Sequence, residues 1–392
     1  MSQSHADNRN LSLHFHASMA DIPANAWDAM VSGDTPHLSH TFLRLAESSG
    51  SVCEETGWLP CHLTVQDGKE ILAAMPLYQK GHSWGEFVFD WSWADAYQRS
   101  GLEYYPKLVS ASPFTPATAS KLLVATGQSQ SVMATALLQG ATRFAREHQF
   151  SSMHLQFISD RDALAAQDAT LVVREDCQFH WQNNDYRDFD EFLNAFSSKK
   201  RKNVKRERRR VLEAGITHRL VAGSDISAEL MATAWRLCSY TFAMRGHSPY
   251  LNPEFFESLR REAPETLALV LAEYDGRTVA AAILLRGEST LYGRYWGSED
   301  TFHSLHFETC YYQGIEYCIA EGIQRFEPGT QGEHKVSRGF LPASTRSAHW
   351  LAHPQFANAI GQYVDREAEG VERYMSEIRG RSPFKHVEDT GS

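Results

Sequence analysis

Residues 267–297, LALVLAEYDGRTVAAAILLRGESTLYGRYWG, decide the fold. Two apolar runs flank Asp275-Gly276, a dipeptide that is typical of the tight turn of a β-hairpin. The segment LYGRYWG, residues 291–297, predicts a third strand that continues the same meander. The stretch therefore predicts part of a mixed, mostly antiparallel sheet.

A second hairpin is predicted in the first half of the chain. Residues 59–79, LPCHLTVQDGKEILAAMPLYQ, carry Asp67-Gly68 between two apolar runs, and EFVFDW at 86–91 predicts an extension of that sheet. In each half a helix precedes the meander, and a second helix followed by another strand comes after it. This shared order predicts a duplicated α/β (α+β) unit, with domains over residues 10–180 and 181–392.

The composition excludes several classes of protein. The chain has 392 residues, of which 42% are hydrophobic and 22% charged, as in ordinary globular proteins. No apolar run reaches the ~18 to 20 residues of a membrane span, and no basic stretch leads into an apolar one near the N-terminus, so we expect no transmembrane segment and a cytoplasmic location. The six cysteines lack CxxC spacing, which favours reduced core residues. Walker A, GxGxxG and GxSxG motifs are absent, which argues against nucleotide hydrolysis, dinucleotide redox chemistry and serine hydrolysis.

The charge is distributed unevenly along the chain. The net charge is −10, yet residues 199–210, KKRKNVKRERRR, hold nine basic residues and one acid, a net +8 that leaves −18 for the rest. The segment predicts a helix whose few apolar contacts are Val204, Val211 and Leu212, with cations around most of its circumference. It is either a solvated face or a binding surface for phosphate, in a nucleic acid or in a phosphate-bearing substrate.

The predicted strand 291–297 contains a candidate binding site. Strand alternation places Tyr292, Arg294 and Trp296 on one face, so Arg294 is a cation between two aromatic rings that suits an anionic ligand. The alternative is an arginine paired with an acid such as Glu308.

The predicted helix over residues 303–319 contains His303, His306 and Glu308, from which a metal site could be drawn. The HExxH and paired-cysteine patterns are absent, so we predict no metal. Tyr312, with its neighbour Tyr311, is expected to pack or to line a cleft.

The loop 329–340, GTQGEHKVSRGF, follows a predicted buried strand. Its glycines allow close approach of the backbone, and it crowds donors, acceptors and a candidate base into a few residues, as ligand-binding loops do. Glu333 or His334 could take a proton from an attacking amine, and Lys335 or Arg338 could hold a phosphate or a developing oxyanion.

Several segments together resemble a known family. They are residues 177–215, which contain SSKKRKN, and the segments LYGRYWG at 291–297, LHFETCYYQGIEYCIAEG at 305–322, FEPGTQGEHKVSRGF at 326–340 and YYPKLVSASPFTP at 104–116. The chain resembles the FemAB-like group of the GNAT acyltransferase superfamily, often labelled peptidoglycan biosynthesis or recognition proteins. The resemblance covers about residues 25 to 385 and implies two tandem GNAT-like domains with the substrate in a cleft between them.

The resemblance also implies the reaction. Fem-type enzymes transfer an amino acid from aminoacyl-tRNA to an amine of a cell-wall precursor, and ordinary GNAT enzymes transfer an acetyl group from acetyl-CoA to an amine. The Q/R-x-x-G-x-G/A loop with which GNAT domains bind the CoA pyrophosphate is missing, since residues 117–127 read ATASKLLVATG. The helical hairpin that many Fem enzymes use for tRNA has no counterpart, so a tRNA role would fall to the helix 199–210.

Three functions remain open at this point. The leading one is an acyltransferase, aminoacyl before acetyl, that acts on an amine of an anionic precursor; the others are an acetyl-CoA-dependent N-acetyltransferase and a non-catalytic protein that binds a precursor or RNA. No cofactor is expected to stay bound, the donor being aminoacyl-tRNA or acyl-CoA. The predicted catalytic residues are Glu333, His334 and Lys335. The predicted substrate-binding residues are Lys199, Lys200, Arg201, Lys202, Tyr292, Arg294, Glu308, Tyr312, Gln331 and Arg338.

Overall fold

The structure, a computed structural model, describes residues 11–299, 302–330 and 332–385. Its strands are β1 Leu11–His16, β2 Trp58–Pro60, β3 His62–Asp67, β4 Glu70–Met75, β5 Tyr78–Lys80, β6 Lys107–Ser110, β7 Leu123–Val124, β8 Ser152–Ile158, β9 Val172–Gln182, β10 Thr217–Ala222, β11 Leu267–Tyr274, β12 Arg277–Arg286, β13 Thr290–Ser298, β14 Arg325–Glu327 and β15 Leu341–Leu351. Its α-helices are α1 Ala24–Asp28, α2 His40–Ser48, α3 Trp91–Arg99, α4 Gln130–Glu147, α5 Asp160–Asp168, α6 Phe189–Asn194, α7 Ser198–Glu213, α8 Ala228–Ala243, α9 Pro253–Glu262, α10 Leu305–Phe307, α11 Gln313–Ala320 and α12 Pro354–Gly380.

The fold class is confirmed: the sheets are mixed, mostly antiparallel and flanked by helices. Strands β1, β3, β4 and β7 form one sheet, and a larger sheet runs in the order β10-β11-β12-β13-β14-β9-β15-β8-β6-β5-β2. Each half of the larger sheet contains one parallel pair, β6 with β8 in the first half and β13 with β14 in the second. This correspondence is the structural form of the duplicated order in the sequence.

The two halves exchange strands at the centre of the larger sheet. β9, which follows the first half, pairs with β14 of the second, and β15, which follows the second half, pairs with β8 of the first. β9 and β15 also pair with each other along most of their length. The sheet is therefore continuous through both domains. The division at residue 180 falls inside β9 and stays a prediction.

Both predicted hairpins are confirmed. β3 pairs with β4 across Asp67-Gly68, and β11 pairs with β12 across Asp275-Gly276. The strand predicted for EFVFDW is wrong, because residues 86–90 are irregular and α3 begins at Trp91. The carboxylates of Glu86 and Asp90 turn inward from this segment to the buried ammonium group of Lys107, and Glu86 Oε2 lies 2.9 Å from its Nζ. The alternation of apolar and polar residues in the sequence gives no sign of this pairing.

An apolar cluster joins the two domains. It contains Phe42 and Val109 from the first half and Phe255 and Leu271 from the second, all buried. The rings of Phe42 and Phe255 meet edge to face with centroids 5.0 Å apart. A fully buried side chain of this size contributes about 1.5 to 3 kcal/mol, so the cluster holds the domains together as one body.

The helix predicted over residues 303–319 is interrupted. Between α10 and α11 the chain makes a π-helical turn over Glu308–Tyr312, which buries Glu308, Thr309, Tyr311 and Tyr312. Such turns place side chains at angles that a regular helix does not give and often occur at functional sites. Across the helices that the structure describes, none has the length and apolarity needed to cross a membrane.

Candidate functional site

The loop 329–340 is fastened to the basic helix α7. Within this loop a short 3₁₀ helix spans Glu333–Arg338. The Arg338 guanidinium donates from Nη2 and Nε to the Glu207 carboxylate at 2.7 and 3.1 Å, and the Tyr312 hydroxyl donates to the same carboxylate. Arg338 also lies over the ring of Phe307, 3.4 Å from its centroid. The structure thus brings the predicted residues Arg338 and Tyr312 together, through an acid that the sequence analysis did not assign.

A second ion-pair network holds the other side of α7. Arg208 donates to Glu308 at 2.9 to 3.1 Å and to Glu316 at 2.8 and 2.9 Å, and its guanidinium lies over the ring of Phe189. Glu308 is therefore engaged by Arg208, and the predicted alternative of an Arg294–Glu308 pair is wrong. The π-helical turn directs Glu308 towards α7 instead of towards β13.

The N-terminal turn of α7 keeps its charges available. Lys199 and Lys202 are exposed, Lys200 is half-buried, and within the described parts of the chain none of the three forms an ion pair. Arg201 donates to the side chain of Asn194, which is neutral. The four predicted phosphate-binding residues thus form one cationic end of the helix, with Lys199 and Lys202 exposed and the other two half-buried.

The apolar contacts of α7 differ in part from the prediction. Val204 and Val211 are buried as expected, but the side chain of Leu212 is 68% exposed. Leu212 lines a surface pocket of about 620 Å³ together with Val211, Ile216 and the cation Arg209. It belongs to the wall of this pocket and not to the core.

A β-bulge changes the face of β13. Its register against β12 shifts, so that Ile283 pairs with Tyr295 while Leu284 pairs with Gly293, and Arg294 is the extra residue. Tyr292 and Tyr295 consequently pack in the interdomain cluster, whereas Trp296 packs in a cluster on the other side of the sheet. The prediction that Tyr292, Arg294 and Trp296 share a face is therefore wrong.

The binding partners of Tyr292 and Arg294 lie in the first domain. The Tyr292 hydroxyl donates to the backbone carbonyl of Asp34 at 2.7 Å, and Arg294 donates to the carbonyl of Phe114. Burial lowers the pKa of Arg294 to about 10. Both predicted residues thus point across the boundary between the domains.

The predicted catalytic residues of the loop face different ways. Glu333 is half-exposed and turns to α12, where Tyr374 and Arg381 contact its carboxylate. His334 shares a 2.9 Å hydrogen bond between Nε2 and the Tyr311 hydroxyl, and burial, with help from Arg338 and Lys335, lowers the pKa of its imidazole. Gln331 lies outside the described residues.

Lys335 is the buried member of the loop. Its side chain turns inward and donates to the Gly329 carbonyl at 2.6 Å, and burial lowers its pKa to about 8. A lysine with such a pKa exists in both protonation states near neutral pH, so it can either hold a developing oxyanion or move a proton.

Glu327, on β14 two residues before the loop, is a group that the sequence analysis missed. Its side chain is buried, and burial raises its pKa to about 7 against the opposing charges of Arg325 and Lys121. Arg325 Nε lies 3.1 Å and His180 Nε2 3.9 Å from its oxygens, and neither contact has hydrogen-bond geometry. A buried carboxylate that titrates near pH 7 is suited to accept a proton from an amine.

His180 connects Glu327 with the loop. Burial, together with the charges of Arg325 and Lys335, lowers the pKa of its imidazole to about 3. The loop lysine and the Arg325–Glu327 pair therefore flank one neutral imidazole. In the sequence the only signal for this arrangement was an acid within the buried strand that leads into the loop.

The site lies where two neighbouring parallel strands, β13 and β14, stop pairing. β13 and β14 run parallel and pair only from Thr290 to Tyr292 and from Arg325 to Glu327. Pro328 then lies so close to Gly293 that a Cβ there would be 3.1 Å from its backbone, which a glycine accommodates. Beyond this point β13 continues along β12, while the segment after β14 turns away as the loop 329–340. Glu327, Arg294 and Lys335 stand where the two strands part.

Comparison with known proteins identifies the family. The FemAB-like family, described as peptidoglycan biosynthesis/recognition, matches residues 18–386. The chain belongs to the FemAB-like family. This membership supports a transferase connected with peptidoglycan, as the resemblance implied. No curated protein matches the sequence.

Solved structures agree with the fold of a FemAB-like protein. A crystal structure titled FemX has a TM-score of 0.53 and 11% identity, covering 89% of this chain and 100% of its own. The C-terminal DUF2156 domain of a protein from Agrobacterium fabrum has a TM-score of 0.51 and 11% identity, covering 88% and 96%. A tandem GNAT protein from the clavulanic acid biosynthesis pathway has a TM-score of 0.47 and 12% identity, covering 88% and 99%. The two structures with TM-scores above 0.5 share the fold of this chain over most of its length.

Proposed function

We propose that this FemAB-like protein is an N-acyltransferase that transfers an acyl group, aminoacyl before acetyl, to an amine of an anionic peptidoglycan precursor. The observation that carries the proposal is Glu327, a buried carboxylate with a pKa of about 7 at the point where β13 and β14 part. An amine is protonated at neutral pH, and attack on a carbonyl carbon requires that it lose a proton to a nearby base.

The reaction balances with groups of this chain. The amine nitrogen attacks the acyl carbonyl, a C–N bond forms, and the ester or thioester bond to the donor breaks. Glu327 takes the first proton, from the ammonium form of the amine. After attack the nitrogen gives up a second proton, which passes to the leaving oxygen or sulfur. Lys335, buried and fixed on the Gly329 carbonyl, stabilises the negative charge on the carbonyl oxygen during attack.

The exposed cations of α7 favour aminoacyl-tRNA over acyl-CoA as the donor. A polyphosphate chain gains from the four adjacent cations Lys199 to Lys202, which have no acidic partners in the described residues and stand at a helix N-terminus. The domains lack the glycine loop with which GNAT domains hold the CoA pyrophosphate. The family supports a peptidoglycan precursor as the acceptor, and the cytoplasmic location stays a prediction.

The test is a transfer assay with two donors. Wild-type protein is incubated with a soluble, phosphate-bearing peptidoglycan precursor that has a free amine, and with either a pool of labelled aminoacyl-tRNA or labelled acetyl-CoA. We expect labelled precursor with the tRNA pool. Product with acetyl-CoA alone would identify acetyl-CoA as the donor in place of aminoacyl-tRNA. Binding of the precursor without product from either donor would favour a non-catalytic protein.

Two isosteric variants separate the candidate bases. Glu327→Gln should lower the rate by about 100-fold or more, the usual contribution of a positioned base. Glu333→Gln is the matched control, because this carboxylate contacts α12 and should leave the rate near that of wild type. A larger loss of rate in Glu333→Gln than in Glu327→Gln would assign the proton transfer to the loop, as predicted from the sequence.

A further inference from the structure

One face of α7 carries a stripe of four cations. An α-helix has about 3.6 residues per turn, so residues spaced by three and four positions lie on the same side of it. One such series extends from the first turn of α7 to its last and spans roughly 16 Å, at a rise of about 1.5 Å per residue. Its four side chains are all exposed: Lys199, Lys202, Arg206 and Arg210.

The stripe faces away from the body of the domain. The buried residues of α7 are Val204 and Val211, and the helical periodicity places them on the side opposite the stripe. Glu207 and Arg208 lie between the two sides, where their ion pairs fasten α7 to the loop 329–340 and to the π-helical turn. The stripe cations therefore point into solvent, where a long ligand can reach all four.

The stripe has no acid to neutralise it in the part of the chain that the structure describes. Arg206 donates to the neutral side-chain amide of Asn203 at 3.0 Å. Two cations beside the stripe do pair with acids: Lys205 with Asp190 at 3.2 Å and Arg209 with Glu213 at 3.5 Å. Like charges spaced by four residues destabilise a helix, as at positions 202, 206 and 210. A bound polyanion removes this repulsion.

A surface pocket of about 620 Å³ lies along one side of the stripe, where Lys205 and Arg209 line it. Its wall on α7 includes Leu212, whose side chain is 68% exposed. It also contains the Arg208 guanidinium, 4.4 Å from the ring centroid of Phe189. Pockets of this volume hold small ligands, and guanidinium planes and aromatic rings are surfaces on which the bases of single-stranded RNA stack. The pocket thus suits one unpaired base of a strand whose phosphates follow the stripe.

We infer that α7 binds a single-stranded segment of RNA, with its phosphates on the stripe and one base in the pocket beside it. Stripe residues four positions apart are about 6 Å apart along the helix, close to the separation of successive phosphates in a nucleic-acid strand. The inference deepens the proposed function, on which it rests for the assignment of this RNA to the aminoacyl donor. It extends the candidate donor surface from the first turn of α7 to its last, through Arg206 and Arg210.

A small phosphate ligand and a membrane fit the stripe less well. A single phosphate group cannot contact four cations that are spread over roughly 16 Å. A helix that binds an anionic membrane also inserts an apolar face, and the apolar face of α7 is buried in the protein. The net charge of −18 outside residues 199–210 opposes a broad anionic surface as well, whereas a narrow strand can follow the stripe.

The test measures binding of RNA to the full chain over a salt series. The probe is a short, fluorescently labelled single strand of RNA without an amino acid, and fluorescence anisotropy follows its binding. We expect saturable binding at low salt, with the logarithm of affinity falling against the logarithm of salt at a slope of about −3 for four neutralised phosphates. A duplex of the same sequence should bind at least tenfold more weakly, since its bases are paired and stacked.

Three results would overturn the inference. The first is that the single strand does not bind at low salt. The second is equal binding of the single strand and the duplex, which would leave the pocket without a base. The third is binding to vesicles that contain phosphatidylglycerol without binding to RNA, which would assign the stripe to a membrane surface.

Two double variants with equal loss of charge locate the site. Arg206→Gln with Arg210→Gln should weaken binding at least tenfold and reduce the slope by about 1.4. Arg143→Gln with Arg236→Gln is the control, because these exposed arginines lie outside α7 and already pair with acids. Equal effects would mean that binding responds only to net charge and would contradict the stripe.

A further variant tests the pocket. Leu212→Ser changes no charge, so it should leave the salt slope unchanged. It should reduce the preference for the single strand over the duplex, because Leu212 is the exposed apolar side chain of the pocket wall. An unchanged preference would contradict the placement of a base there.

Failure of this inference is distinguishable from failure of the proposed function. Glu327→Gln should lose transfer but keep RNA binding, because Glu327 lies on β14 and not on α7. Transfer from aminoacyl-tRNA by the Arg206 and Arg210 double variant at the wild-type KM overturns only the stripe. RNA binding by wild-type protein without transfer from either donor overturns only the reaction.

Discussion

Glu207, the acid within the basic segment of α7, accepts hydrogen bonds from Arg338 at 2.7 and 3.1 Å. The two residues are 18% and 8% exposed, so the pair is largely shielded from water. It joins the helix that carries the free cations to the loop that carries Lys335. A single carboxylate thus couples the candidate donor-binding surface to the candidate reaction site.

Glu207→Gln should destabilise the protein and loosen the loop. Breaking a mostly buried pair leaves Arg338 without its counter-charge, which costs about 2 to 4 kcal/mol in such settings. Urea denaturation measures the loss of unfolding free energy. Glu213→Gln is the control, because this exposed acid pairs with Arg209 on the same helix and should change stability by less than about 0.5 kcal/mol. Equal effects of the two variants would contradict the coupling.

Glu327→Gln should stabilise the protein above pH 7 and have little effect at pH 5. Burial raises the pKa of this carboxyl from 4.5 to about 7, so the folded state holds a proton that the unfolded chain has released between these values. Stability from this group is therefore lost as pH rises from about 4.5 to 7, by up to roughly 3 kcal/mol. Glutamine mimics the protonated acid and avoids the loss. Thermal midpoints of both proteins from pH 5 to 8 test this, and a constant difference between them would contradict the raised pKa.

Lys107→Met should be among the most damaging single changes in the first domain. Lys107 is fully buried and pairs with the buried carboxylates of Glu86 and Asp90. Removing the cation leaves two buried acids without a counter-charge, a loss of about 3 to 5 kcal/mol. Chemical denaturation measures it, with exposed Lys202→Met as the reference. A loss below about 1 kcal/mol would mean that the acids become protonated at little cost.

Changing Lys199, Lys200, Arg201 and Lys202 to Gln should weaken binding of aminoacyl-tRNA and make it less dependent on salt. The logarithm of affinity falls with the logarithm of salt at about −0.7 to −0.9 per neutralised phosphate, so the slope should decrease by about three. Filter binding over a salt series measures it. Lys205 and Arg209, already paired with Asp190 and Glu213, provide a control variant that should change the slope less. An unchanged slope would remove α7 from donor binding.

The hairpins and the basic helix could be read from the sequence because their signals are local. Asp275-Gly276 favours a tight turn whatever surrounds it, and the cations of residues 199–210 are contiguous in the chain. The family followed in the same way, since its motifs are short segments. Local patterns of this kind determined the fold class and pointed to α7 and the loop 329–340.

Long-range contacts decided the rest. The bulge at Arg294 arises from the register of β13 against β12, and it reversed the expected face of Trp296. Residues 86–90 do not form the predicted strand, because Glu86 and Asp90 turn inward to pair with the buried ammonium group of Lys107, which lies 21 and 17 residues further along the chain. Neither effect has a signature within its own segment.

By itself the sequence determined the hairpins, the duplicated order of elements and the concentration of charge in α7, because each depends on residues that are neighbours in the chain. Only the tertiary structure decided that Arg325 and Lys121, which lie in distant elements, act on both the buried carboxyl of Glu327 and the buried imidazole of His37. The pKa values of Glu327 and His37 depend on burial and on these neighbouring charges, which exist only once the domains have packed.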